Sequence, residues 1–252
     1  MFKRLLDGTD LGQLKDMVSP AFFDVIPTRV LWKQGRALAK RYRDQRAYTE
    51  ALTHRATTLN AAELGVNIGA IVGDESDRVE DATARGEALL RLYFHQILVP
   101  GPALLDIRCH RFARREDGDG YVFDPGHISV EWDAEFREGL SGIYRGFYGD
   151  DDELFVESLD ALDLRCAEET FRQQFGEGDQ HAVRFEMKTF ISSFHDAFVA
   201  CREAGEQLHS GFLAFGIYLA FLYDHLESIG GGPFDVRSAY EAAAGKQQAE
   251  AA

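Results

Sequence analysis

The chain has no apolar run long enough to cross a bilayer. Its longest, Phe212 to Tyr223, is 12 residues with Gly216 inside it, against the roughly 20 that a spanning helix needs. That run is apolar nearly all round and reads as a central core helix, with a homodimer seam or a groove for a lipid chain as its sharper uses. Cysteine is scarce: Cys109, Cys166 and Cys201 are odd in number, far apart and without a Cys-x-x-Cys. Neither a disulfide framework nor a zinc knuckle is indicated, and buried free thiols are expected. Proline is scarce too, with none between Pro27 and Pro100, so nothing in that stretch forbids long helices. Met1 to Asp7 starts with charge but has no apolar core or cleavage site of an export signal, and the cytoplasm is the expected compartment.

Several chemistries lack their motifs. There is no Gly-x-Ser-x-Gly elbow and no His-x-x-x-His. His195-Asp196 and Asp224-His225 are adjacent pairs, and neighbours on a helix do not face one ion; His181 and Glu186, five apart, fit no better. No metal site is expected. Cys109 and His110, neighbours in an expected strand, point to opposite faces and form no thiolate pair. Gly65 to Ala70 has the glycines of a phosphate loop but no Gly-Lys-Ser/Thr after it.

What is present is a chain of 252 residues, 45% hydrophobic, with material for a substantial core. The net charge of -15 is unevenly spread: residues 1–70 carry 11 Lys/Arg against 7 Asp/Glu, and residues 71–252 carry 16 against 35. Within an expected helix over 20–60, opened by Ser19-Pro20, the cations Arg29, Lys33, Arg36, Lys40 and Arg43 recur at steps of four and three. This puts them on one face. Such a face is solvated, pairs with the acidic body, or docks an acidic partner or membrane surface; no aromatic stacking pattern accompanies it, so nucleic acid is not expected.

Gly65, Gly69 and Gly73 followed by Asp74-Glu75-Ser76-Asp77 read as a joint, giving a basic helical N-terminal arm (1–75), a helical body (76–241) and a frayed tail (242–252). A helix is expected over Arg78 to Leu98. Ala103 to Ile107 and Tyr121 to Phe123 flank a polar turn, 114–120, and suggest a small hairpin, with Asp124-Pro125-Gly126 turning after it. In it Arg108, Arg111, Arg114 and Arg115 are expected to pair with Glu116, Asp117, Asp119 and Glu131, or to contact an acidic partner. Helices are expected over Asp133–Tyr148, Asp150–Ala161, Cys166–Phe175, Ala182–Gly205 and Leu208–Ile229.

The order of these pieces resembles the AarF/UbiB (ubiquinone-biosynthesis type) family of atypical kinases. Glu87 to Leu98 looks like the approach helix; Asp106 falls at the catalytic-loop aspartate, Asp117-Gly118 lies 11 residues on, and Asp124-Pro125-Gly126 begins 18 on. Glu135 to Leu140, Asp150 to Glu153 and Leu159 to Leu162 are similar to the helices that follow. The resemblance implies a mainly α, protein-kinase-like C-terminal lobe, a helical bundle with a small β-hairpin, over about residues 80–240. It also implies that Asp106 and Asp124 are vestiges of a catalytic pair, with Asp124 and Gly126 at the nucleotide. The departures decide the activity. Leu104 stands at the family's histidine and Arg111 at its metal-binding asparagine; an arginine has no acceptor for magnesium and is expected to pair with Asp106 or Asp124. Pro125 replaces phenylalanine, and no strand-rich upper lobe or nucleotide-gripping lysine precedes the match.

The reading that follows is a non-catalytic, pseudokinase-like binding or regulatory protein with no cofactor. It would engage an acidic protein, or a full-length kinase of the same family, through Arg29, Lys33, Arg36, Lys40, Arg43, Arg111, Arg114 and Arg115; a homodimer stands behind this. The alternatives are a minimal Mg-ATP-dependent phosphotransferase completed by a second chain, and a helical lipid or small-ligand binder.

Overall fold

The computed structural model describes residues 25–26, 28–71, 81–176 and 182–250. It is mainly helical. The helices are α1 (Thr28–Arg43), α2 (Gln45–Ala62), α3 (Ala82–Leu98), α4 (Ala134–Tyr148), α5 (Asp152–Ala161), α6 (Glu168–Phe175), α7 (Met187–Ala204), α8 (Phe212–Ser228) and α9 (Val236–Glu250). Between them lie short strands: β1 (Val66–Ile68), β2 (Ala103–Leu104), β3 (Phe112–Arg114), β4 (Tyr121–Phe123), β5 (Ser129–Val130), β6 (Ala182–Val183) and β7 (Phe234–Asp235). No described helix is long and apolar enough to cross a membrane.

Aspartates set several helix starts. Asp44, Asp81, Asp133 and Asp151 each accept a backbone N–H from the first turn of α2, α3, α4 and α5, satisfying donors that have no partner inside the helix. Asp44 also divides the helix expected over 20–60. Its backbone leaves helical geometry (φ -89°, ψ 89°) and its side chain takes the Ala47 N–H at 3.0 Å. Ser19-Pro20, Pro27, Gly73 to Asp77 and the expected start at Arg78 lie outside the described residues.

The sheets correct the expected hairpin. Tyr121–Phe123 pairs antiparallel with Phe112–Arg114, not with Ala103–Ile107; Ala103–Leu104 pairs instead with Ser129–Val130. Cys109 and His110 sit in a 3-10 turn, Cys109–Arg111, rather than in a strand. Val66–Ile68, read as part of a joint, is a strand lying parallel to β4, with Val66 opposite Tyr121 and Ile68 opposite Phe123. Val25, Ile26, Tyr48, Ala51 and Leu59 lie in the same core as α3 and α8, so the described residues of 25–71 pack against the body.

At the centre stands α8, buried from Phe212 to Leu226 on nearly every side, which leaves no open face for a dimer seam. α9 runs along α3 and continues to Glu250. The tail expected to fray from Ala242 is therefore helical, and Ala243 is in the core; small side chains let α9 lie close to α3.

Helix α4 approaches α5 through Gly139, Gly142 and Gly146. A Cβ on Gly146 would come within 2.3 Å of the Phe155 backbone nitrogen, whereas one on Gly216 in α8 would meet nothing within 4 Å. Alanine gains about 1 kcal/mol of helix propensity at either position. Gly216→Ala is therefore expected to stabilise by about 0.5–1 kcal/mol, and Gly146→Ala to destabilise by about 1–3 kcal/mol because backbone must move. Urea denaturation of the two variants checks this, and equal shifts would refute the packing argument.

Candidate functional site

The site is built on the loop that leaves β2. Gln96, buried on α3, accepts from the Leu104 N–H (2.7 Å) and donates to the Leu104 carbonyl (3.2 Å) and the Tyr218 hydroxyl (2.8 Å). Leu105 N–H donates to the Ile128 carbonyl at 2.9 Å. These bonds fix the backbone on both sides of Asp106, so its carboxylate emerges in one place.

Asp106 is 2% exposed, and arginines surround it. Arg108 forks onto it, Nε to Oδ1 at 2.7 Å and Nη2 to Oδ2 at 2.8 Å. Arg111 Nε reaches the same Oδ2 at 3.3 Å. Burial alone would raise this carboxyl, but the hydrogen bonds and charge of Arg108, with the charges of Arg111 and His110, outweigh it and hold the carboxyl below its ordinary value. Arg108 also lies over the Phe221 ring of α8, 4.9 Å from its centre. Asp224, one turn along that helix, has its carboxyl raised by burial and by Glu227, against the lowering charges of Arg108 and His110.

Beneath the loop a second buried arginine ties it to the bundle. Arg85 on α3 donates from Nε to His225 Nε2 (3.0 Å) and from Nη2 to the Cys109 and Phe112 carbonyls (2.7 and 2.5 Å). His225 Nδ1 in turn donates to the Ile107 carbonyl at 2.7 Å, leaving Nε2 to accept from Arg85. Burial and the Arg85 charge lower the His225 imidazole to about 3. Sequence reasoning misses Arg85 and His225 as site residues, where the available signal is a charged or polar residue inside a helix of the core; Arg108 stands only among the hairpin arginines expected to pair with acidic neighbours.

The Asp124-Pro125-Gly126 turn closes over Asp106. Asp124 N–H donates to the Arg111 carbonyl (2.9 Å), and Gly126 packs so tightly that a Cβ there would lie 2.4 Å from Asp106 Oδ2. Tyr48 on α2 donates its hydroxyl to the Pro125 carbonyl (2.7 Å) and stacks on His127, ring centres 4.3 Å apart. Burial and the Asp124 charge raise the Tyr48 hydroxyl, against Arg111.

The hairpin arginines pair in part as expected. Arg111 turns inward and pairs with Asp106, as expected of it, with its side chain still partly exposed. Arg115 pairs with Asp117 in the turn, and Arg114 donates to the Gly118 carbonyl at 3.4 Å. Glu131 pairs with Arg41 of α1. By contrast Arg29, Lys33, Arg36, Lys40 and Arg43 are all exposed on α1, which has no acidic residue. Beside them Trp32 is 43% exposed, with Arg36 5.4 Å from its ring centre.

Both Asp106 oxygens accept from guanidinium groups, and no three His, Cys, Asp or Glu side chains converge among the described residues. The residues present at Asp106 therefore do not fit a divalent cation. An apolar cavity of about 40 Å³ lined by Tyr93, Tyr144, Phe175 and Tyr223 has room for a water or two and not for a lipid chain. A groove of about 290 Å³ beside α5 holds Arg172 and Arg237, which pair with Asp152 and Asp150. A scan of protein-family models finds no match to this chain, and a search of curated proteins finds none either.

Proposed function

We propose that the protein is a non-catalytic binding protein with a kinase-C-lobe-like body, and that α1 docks an acidic protein partner. The observation that carries this reading is the α1 face: five exposed cations without an ion-pair partner among the described residues, flanked by an exposed tryptophan, on a helix with no acidic residue. Tryptophan and arginine are the side chains that most often anchor an interface. The rest of the chain carries a large negative excess, and a cationic helix face without ion-pair partners among the described residues favours partners of opposite charge.

The absence of catalysis is supported by Asp106. A carboxylate held by Arg108 and Arg111 has no free oxygen to orient a hydroxyl or bind magnesium, both of which phosphoryl transfer requires. One observation favours the alternative of a partner-completed phosphotransferase: the Asp106 loop and the Asp124-Pro125-Gly126 turn are packed together, as the resemblance to atypical kinases implies. Thermal melting with Mg-ATP separates the readings. A ligand at 100 times its Kd adds about 2.7 kcal/mol, and an upward shift lost in Asp124→Ala would favour the enzyme.

The binding surface has its own test. Titration with poly-glutamate, followed by tryptophan fluorescence and anisotropy, is expected to show salt-sensitive binding. Reversing Lys33, Arg36 and Lys40 to glutamate should weaken it about 30-fold or more, at up to about 1 kcal/mol for each exposed charge. Unchanged affinity in the triple variant would remove α1 as the docking face.

A further inference from the structure

Cys166 and Cys201 are 35 residues apart in sequence, yet their sulfurs lie 3.0 Å apart. Cys166 sits in the 3-10 turn Arg165–Ala167 that leads into α6; Cys201 is near the end of α7. Both are free thiols, the first partly exposed and the second buried. A disulfide needs about 2.05 Å between sulfurs, so closure takes a shift of about 1 Å. A small apolar cavity bounded by Phe171, Phe194, Phe198 and Leu208 borders Cys201 and gives its side chain room to turn.

We propose that Cys166 and Cys201 form a covalent modification site: a reversible intramolecular disulfide, made by hydrogen peroxide and broken by dithiols. Cys166 is the entry point because it reaches solvent, while burial raises the Cys201 thiol and keeps it protonated. The Cys166 thiolate attacks peroxide; the O–O bond breaks, hydroxide leaves, and Cys166 becomes a sulfenic acid. Cys201 sulfur then attacks Cys166 sulfur, the S–O bond breaks, and the departing hydroxide takes the Cys201 proton as water. Two thiols and one peroxide thus give one disulfide and two waters. Cys109 has a separate setting, with its sulfur beside Arg85 Nη2 at 3.3 Å, and takes no part.

The bond would fasten α7 to the turn before α6. α7 rests on the core helix α8 through Phe190 and Tyr223, ring centres 4.7 Å apart, so the staple would act on the bundle and not on a loose end. Closing a loop of this length is expected to raise the melting midpoint on the order of 10 °C.

The test uses the full chain, reduced and then exposed to a small excess of hydrogen peroxide. Mass spectrometry of alkylated, non-reduced digests should show a peptide crosslinked between Cys166 and Cys201 with Cys109 alkylated, a melting midpoint raised on the order of 10 °C, and reversal of both by dithiothreitol. The decisive measurement is on the native sequence, so it does not depend on a variant folding. Cys109→Ser should keep the crosslink. Sulfinic acid at Cys166 with Cys201 still alkylated, or crosslinks through Cys109 or between molecules instead, would overturn the proposal.

Discussion

Arg55→Ala is expected to lower the melting midpoint by roughly 10 °C or more, at about 3–5 kcal/mol for an orphaned buried polar cluster. Arg55 is 0% exposed and has backbone carbonyls, not a carboxylate, as its hydrogen-bond partners. Nε donates to Pro102 at 2.8 Å; Nη2 donates to Gly101 at 3.1 Å, Val99 at 3.2 Å and Gln96 at 3.5 Å; Nη1 reaches His95 at 3.5 Å. These are the last carbonyls of α3 and the turn after it, at the negative end of the helix dipole; among them the His95 carbonyl also accepts the Val99 N–H at 2.9 Å. Burial lowers the guanidinium to about 10, so it stays charged at neutral pH. Truncation leaves these acceptors in a dry interior. Arg55→Lys recovers little, since an ammonium has three donors in place of five and no planar fork. Arg29→Ala, on the exposed face of α1, is the control and should cost less than about 0.5 kcal/mol. A loss at Arg55 no larger than at Arg29 would mean that the α3 terminus is not held this way.

Arg55 also marks the limit of what the sequence discloses. On α2 it is one more arginine at helical spacing, and only the arrival of the α3 terminus, 40 residues later, makes it a buried cap. The same holds for Cys166 and Cys201, and for the partner of β4. Phe112–Arg114 and Ala103–Ile107 are comparably short apolar runs, and the choice between them lies in tertiary packing that no local pattern records. Where the signal is local, it is legible. α4 starts after Asp133 because a capping side chain and the apolar period are both within a few residues. α8 reads as a core helix because it has almost no polar face, and the α1 stripe follows from spacing alone. The Ala-rich end of α9 misleads because small residues look featureless until a close neighbour is supplied.

The candidate site shows the same division. Asp106, Asp124 and Gly126 come together in a loop whose order is visible in the chain, yet Arg108, two residues from Asp106, is its stronger partner, and Arg85 and His225 secure the loop from helices far away in sequence. Three buried or half-buried arginines around one carboxylate and one imidazole make a rigid, cationic framework. Such a framework stabilises the loop and leaves it little freedom to take on a metal or a proton.

Two buried imidazoles, His225 in that framework and His95 beside Arg55, predict a steep loss of stability in mild acid. His95 and His225 are both buried, and both imidazoles fall from 6.5 to about 3. For His95 the causes are burial, then the Arg55 charge, against a backbone contact from Thr58 and a further lowering by His54; for His225 they are burial, then Arg85, against the Ile107 carbonyl. Their folded values lie below their unfolded ones, so between about pH 6.5 and 3 the unfolded chain binds more protons and stability falls as pH falls. Stability is full above pH 6.5. Each histidine contributes a slope of about 1.4 kcal/mol per pH unit inside this window, so the pair costs on the order of 4 kcal/mol by pH 5. Asp106, whose carboxyl is held low, adds a further loss only below about pH 4, as its bonds to Arg108 and Arg111 are protonated away. Urea midpoints measured at pH 7, 6 and 5 should drop progressively, and His95→Gln should flatten the slope by about half. A midpoint that stays level from pH 7 to pH 5 would mean that these imidazoles are charged in the folded protein, and the cationic framework around Asp106 and the α3 terminus would have to be redrawn.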